Sequence, residues 1–175
     1  MADRASELTY ALLDAWNARD LPRFLSLLTE DIEWYDLGMP YPPARGREAV
    51  RRFSESVLRA FPDFQYTIQQ PLCVAPDGTR CVVVWEITAT HQAVLEPPGF
   101  APTGRRVTFQ GVDVLEFRGE QVCRIRTLFD PWEAAGQLLG FQLRPPPGSV
   151  RERLAVGVQR LLAGWVRRRP HSPAA

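Results

Sequence analysis

Apolar and polar positions follow different rhythms in different parts of the chain. Over residues 6–18 the apolar side chains Leu8, Leu12, Ala15 and Trp16 recur at helical spacing, which predicts an amphipathic helix. Asp20 follows, placed to cap free N–H groups, and Pro22 suits a first turn. Leu21, Phe24, Leu25 and Leu28 give that second helix its apolar face. Residues 31–37 read as a short strand and the proline-rich stretch 39–44 as a loop. Residues 46–60 predict a third helix, with Val50, Phe53 and Val57 on one side. The period then becomes two. Residues 64–68 alternate, Pro76-Asp77-Gly78 is a turn, and long strands are predicted over 80–93, 105–117 and 121–129. Residues 96–104 link the first two of these, and Arg118-Gly119-Glu120 turns between the last two. Pro131-Trp132 opens a short helix that ends near Gly140.

A different segment follows. Pro145-Pro146-Pro147-Gly148 is a stiff spacer, and Ser149-Val150-Arg151-Glu152 has the form of a capping box opening a last helix. Val150, Leu154, Val158, Leu161, Leu162 and Trp165 share one side of it, and Arg153, Arg160 and Arg167 repeat every seven residues on another. The expected organisation is a domain over 1–143 and a basic amphipathic helix and tail over 144–175. Helices first and a meander of strands after give an α+β fold. A strongly curved sheet must cover its concave face, and the N-terminal helices are available for that.

Strand alternation also says which side chains face inward. The more apolar face of 80–93 carries Cys81, Val83, Trp85, Ile87, Ala89 and His91. That of 105–117 carries Val107, Phe109, Gly111, Asp113, Leu115 and Phe117; that of 121–129 carries Cys123, Ile125, Thr127 and Phe129. In the first strand Ile32, Trp34 and Asp36 share a face, and Arg124 and Arg126 point outward. Four polar groups, Asp36, His91, Asp113 and Thr127, thus fall among aromatic and aliphatic neighbours. A carboxyl out of water raises its pKa, so one acid can remain a base while another is held protonated as a donor. Each group has an ordinary alternative: Asp113 as a structural ion pair, Asp36 as the cap of a turn before Gly38, His91 as packing or surface. Thr127 and the tryptophans are ordinary strand and core residues by type.

Charge separates the two segments. The chain of 175 residues has a formal charge of +1 and no lysine. Its first 143 residues hold 14 arginines against 19 acids, and its last 32 hold 7 arginines against Glu152 alone. Without lysine, no Schiff-base chemistry is open to it. Three cysteines, Cys73, Cys81 and Cys123, lie in apolar stretches and read as reduced core residues, with neither a disulfide framework nor a metal set expected. The first residues lack a charged-then-apolar leader and no apolar run nears about 20 residues, so the cytoplasm is the expected compartment. No basic, aromatic-interleaved sheet points to nucleic acid. The C-terminal helix has as candidate partners its own body, a second copy or an anionic membrane surface.

These residues carry a resemblance. Ala15-Trp16-Asn17-Ala18-Arg19-Asp20, Gly46-Arg47-Glu48-Ala49-Val50, Thr90-His91, Pro102-Thr103-Gly104-Arg105, Gly111 to Phe117, Phe129-Asp130 and Gln137-Leu138-Leu139-Gly140, in that order, resemble the SnoaL-like polyketide cyclase and ketosteroid isomerase group of the NTF2-like superfamily. The resemblance implies a cone-shaped α+β barrel, a curved antiparallel sheet wrapped around helices with an apolar pocket, and usually a homodimer. It also implies a general-base Asp after the first strand, matched by Asp36, and a proton-donating Asp, matched by Asp113. The donor tyrosine of the isomerases falls at Leu12. The inner-face His of the cyclases falls near Asp113, and their last-strand Asp near Thr127. The expected function is a cofactor-independent acid/base enzyme, of isomerase or cyclase type, on a small apolar carbonyl compound. Asp36, Asp113 and His91 would be its catalytic groups, and Trp16, Trp34, Phe53, Trp85, Phe109, Thr127, Phe129 and Trp132 its ligand contacts. A non-catalytic binding or dimerisation module and an epoxide hydrolase-like activation of water are the alternatives.

Overall fold

The computed structural model describes residues 2–38, 43–97, 99–140 and 145–167, without the side chains of 2 and 164–167. Most of the expected loop over 39–44, and the side chains of Trp165 and Arg167, lie outside that set. The chain divides into two compact units, Met1–Phe141 and Gln142–Ala175.

The first unit begins with α1 (Ala2–Asn17) and α2 (Leu21–Ser26). Asp20 caps α2, its side chain accepting from the Arg23 N–H at 3.0 Å, which satisfies one of the free donors of a helix start. Next come β1 (Leu28–Asp36), β2 (Ala44–Arg45) and α3 (Arg47–Ala60), then β3 (Gln65–Ile68), β4 (Cys73–Val74), β5 (Arg80–Thr90), β6 (Arg106–Arg118) and β7 (Gln121–Phe129). The helix α4 (Pro131–Leu139) closes the unit, capped by Asp130, whose side chain accepts from the Trp132 and Glu133 N–H groups.

The strands form one curved, unclosed sheet in the order β2-β1-β7-β6-β5-β3, with β4 on β5. All pairs are antiparallel except β1 on β7, which is parallel; the sheet is mixed where a wholly antiparallel one was expected. The β1–β7 pair unites the two ends of the domain, and only a chain that has passed through α3 and the meander can make it. Burial alternates along β5, and Cys81, Val83, Trp85, Ile87 and Ala89 face the core. That core is built from Leu12, Leu13, Trp16, Phe24 and Val50 of the helices against Ile32, Trp34, Leu115 and Ile125 of the strands. Covering the concave face is how a single sheet buries its apolar side.

Two details differ from the sequence reading. A register shift between Glu116 and Phe117 puts Val122 in the core and leaves Cys123 as the extra residue of a bulge, its Sγ near the Glu116 carbonyl at 3.4 Å. Alternation fails across a bulge because two residues oppose one. Of the cysteines only Cys81 is core; Cys73 is exposed and Cys123 intermediate, and all three are free.

The second unit contains α5 (Val150–Arg167). Its start follows the capping pattern, with the Glu152 N–H donating to Ser149 Oγ at 3.1 Å.

Candidate active site

A cavity of about 300 Å³ opens on the concave side of the sheet, between α3, α4 and the segment around Leu95–Phe100. Its walls are almost wholly apolar: Phe53, Val57 and Phe61 from α3 and its end, Trp85 and Ile87 from β5, Phe109 and Phe129 from the last strands, Leu138 from α4. The polar side chains in the lining are Asp36, Tyr66 and Thr127.

Strand register explains how the acids come together. Asp36 of β1 stands opposite Thr127 of β7, and Thr127 stands opposite Asp113 of β6. Directly paired residues present their side chains on the same face, so Asp36, Thr127 and Asp113 form one row across three strands. The Trp34 indole N–H donates to Thr127 Oγ1 at 3.0 Å. Asp36 is half-buried at the end of β1, and its Oδ1 accepts from the Gly38 N–H at 2.6 Å. It therefore both caps the turn and faces the cavity. Glycine matters at 38, because a Cβ there would lie 3.1 Å from that oxygen. Burial raises the Asp36 carboxyl to about 6 against the opposing Gly38 hydrogen bond.

Asp113 is 5 % exposed. Burial raises it to about 7; the Thr127 hydroxyl and the Trp85 indole pull it down, and the Asp36 charge pushes it up. The pull is incomplete, since Asp113 Oδ1 and Trp85 Nε1 each lack a partner of hydrogen-bond geometry. Asp113 does not line the cavity itself. It borders a void of about 10 Å³ behind it, shared with Leu12, Trp16, Trp34 and Tyr66. Tyr66 lines both spaces. Its phenol is held well above the ordinary range, first by burial and then by the charges of Asp113 and Asp36. Its hydroxyl therefore keeps its proton at neutral pH and is able to donate into either space.

Phe53, Trp85, Phe109, Thr127 and Phe129 thus meet at the cavity with Asp36. Trp16 and Trp34 stand one layer deeper, packed edge to face at 5.7 Å. His91 is 2 % exposed and lies past the end of β5, its ring stacked on Phe61 at 5.0 Å and its Nδ1 3.4 Å from Thr103 Oγ1; it is not among the cavity residues. Its pKa is lowered, chiefly by burial, so it is neutral at pH 7. Trp132 is 57 % exposed and outside the lining, because Asp130 caps α4 with the second residue of the helix turned to solvent. Arg124 pairs with Glu33 and Glu116, and Arg126 lies over the Tyr35 ring; no arginine lines the cavity among the described residues. Among those residues no group of three His, Cys, Asp or Glu is placed to hold a metal.

Tyr66 is the site residue that sequence reading passed over. The signal was present: in the alternating run 64–68 it shares a face with Phe64 and Ile68. Nothing in that run says that its ring shares one space with Asp36, 30 residues earlier, and another with Asp113, 47 residues later.

A model of the SnoaL-like domain matches residues 10–125. No curated protein matched the chain. Among solved structures, a proposed polyketide cyclase from Pseudomonas putida KT2440 is similar at 20 % identity and a TM-score of 0.67, covering 77 % of this chain and 97 % of its own. AclR, a proposed hydroxylase from Streptomyces galilaeus, is similar at 23 % identity and a TM-score of 0.67, covering 81 % and 99 %. An LEH-like epoxide hydrolase from M. tuberculosis is similar at 16 % identity and a TM-score of 0.62, covering 79 % and 92 %. At these identities the likeness is one of fold.

Proposed function

The chain belongs to the SnoaL-like family, and on that premise we propose that it is a proton-transfer enzyme acting on a small neutral carbonyl compound. The observation that supports this most is the row Asp36, Thr127, Asp113, with one acid on the cavity and the other behind it. Asp36, ionised above about pH 6, removes a proton from the carbon next to the carbonyl. The electron pair moves onto the carbonyl oxygen, which accepts a hydrogen bond from the Tyr66 hydroxyl. Protonated Asp113 lies behind Tyr66 and keeps a second negative charge away from the developing enolate, which would otherwise be repelled. The proton returns to a different carbon in an isomerisation. In a cyclisation the enolate carbon attacks a second carbonyl of the same molecule, the π electrons of that carbonyl move onto its oxygen, and that oxygen takes up the proton held by Asp36. Leu12, at the position of the family's donor tyrosine, lines the same void as Asp113 and Tyr66, so β3 supplies the phenol that the first helix lacks. His91 has no part in this scheme.

The cavity selects the substrate. At about 300 Å³ it lies at the small end of ligand sites and suits a compound of one or two rings. Asp36 in the lining, with no arginine among its described lining residues, disfavours a carboxylate-bearing substrate.

Hydrogen–deuterium exchange tests the reading. Neutral cyclic ketones incubated with the protein in D2O, followed by NMR, should lose their α-protons, and Asp36→Asn should slow this by about 100-fold or more. Ligand binding without exchange in the wild type would make the domain a binding module. Unchanged exchange in Asp36→Asn would remove Asp36 as the base.

A further inference from the structure

We propose that α5 is an in-plane anchor that lies on an anionic lipid bilayer. The helix has 18 residues. Val150, Leu154, Val158, Leu161 and Leu162 fall within about a third of its circumference, and all five are exposed, Leu161 to 78 %. An apolar face of this kind calls for a surface to cover it.

The charges say which surface. Glu152, the lone acid from residue 144 onward, is engaged at the helix start, its side chain accepting from the Gly148 N–H at 2.5 Å. The remaining charged side chains of the helix are all arginines: Arg153 and Arg160 seven residues apart on the polar side, with Arg167 next in the same series. Arg168 and Arg169 extend the run in sequence. Arg151 falls inside the edge of the apolar arc, between Val158 and Leu162 in angle. At a bilayer surface a long arginine side chain reaches back to the phosphates while its stem stays with the apolar groups.

Two other uses of the face fit less well. Leu154, Val158 and Leu161 follow coiled-coil spacing, but 18 residues make fewer than the three to four heptads of a stable pair. The positions flanking such a seam are Ala155, Gly157 and Leu162, without the charges that fix helix pairing. Crossing the membrane is not open either, since no described helix is long and apolar enough to do so. A strong apolar face, a cationic opposite side and modest overall hydrophobicity are the properties of a helix that lies on a membrane. The proposal is independent of the chemistry in the cavity.

Vesicle flotation of the full-length protein decides it, using vesicles of phosphatidylcholine alone and of phosphatidylcholine with phosphatidylglycerol. Binding to the anionic vesicles, about tenfold or more above the neutral ones and reduced by salt, is the expected result. The double variant Leu154→Gln/Leu161→Gln and the charge reversal Arg153→Glu/Arg160→Glu should each lose this binding while the thermal transition of the first unit stays unchanged. No flotation with either vesicle overturns the proposal. So does equal flotation of the charge-reversal variant. A concentration-dependent dimer in sedimentation that the leucine variant abolishes, without vesicle binding, would assign the face to a second copy instead.

Discussion

A carboxyl group deprived of water keeps its proton until the solution is less acidic, and Asp113 shows what that does to stability. Its folded-state pKa, about 7, lies above that of the unfolded chain, so between about pH 4 and 7 the folded state binds more protons than the unfolded one. Stability therefore falls as the pH rises through that window, by on the order of 4 kcal/mol for this group. Asp113→Asn should flatten the dependence, matching the wild type near pH 4 and melting higher above pH 7. A variant whose melting temperature tracked the wild type at every pH would show that Asp113 is ionised throughout. Thr127 modulates the same group. With Trp34 donating to its oxygen, its own proton is free for a carboxylate, so Thr127→Val should raise the Asp113 pKa and Thr127→Ser should restore it. Asp36, Asp113 and Thr127 were legible in the sequence because they lie in regular strands, where alternation assigns faces. His91 is buried, as its place on the inner face leads one to expect, but β5 stops one residue before it and its ring stacks on Phe61 outside the cavity lining. There the backbone turns to exchange hydrogen bonds with Gly104 and Arg105, and alternation no longer says where a ring points.

Among the elements, β6 owes its close approach to β5 to one residue. Gly111 stands opposite Trp85, and a Cβ on it would come within 2.2 Å of the Trp85 ring. The ring occupies the space that a side chain at 111 would need, and so forms a wall of the cavity. Gly111→Ala must displace the indole or the strand and should cost about 1–3 kcal/mol, the usual penalty of overpacking. It should also weaken ligand binding; a variant of wild-type stability would mean that Trp85 has another seat. The long strands, α3 and the capped starts of α2 and α4 could be read from period and cap residues. The two-residue strands β2 and β4 could not, since two residues carry no period. The parallel β1–β7 pair was also hidden, because a pattern of inward and outward residues is the same for either strand direction.

At the scale of the whole first unit, the sheet, α3 and α4 enclose a small apolar space with Asp36 in its lining and Asp113 outside it. Neutral ligands should bind it at least about tenfold more tightly than carboxylate analogues of the same shape, by calorimetry, because Asp36 lines the site and no arginine does among the described residues. The inward facing of each acid follows from pattern; the row that joins Asp36 to Thr127, the size of the cavity and the place of Tyr66 depend on how β1, α3, β3 and β7 pack, which only three dimensions specify. The central claim is that Asp36 and Asp113 together hold a proton near neutrality. A carbon-13 NMR titration of the two side-chain carboxyls tests it most directly. The account predicts midpoints near 6 and 7, with Asp113 the last to ionise. Both carboxyls ionised by pH 5 would contradict it.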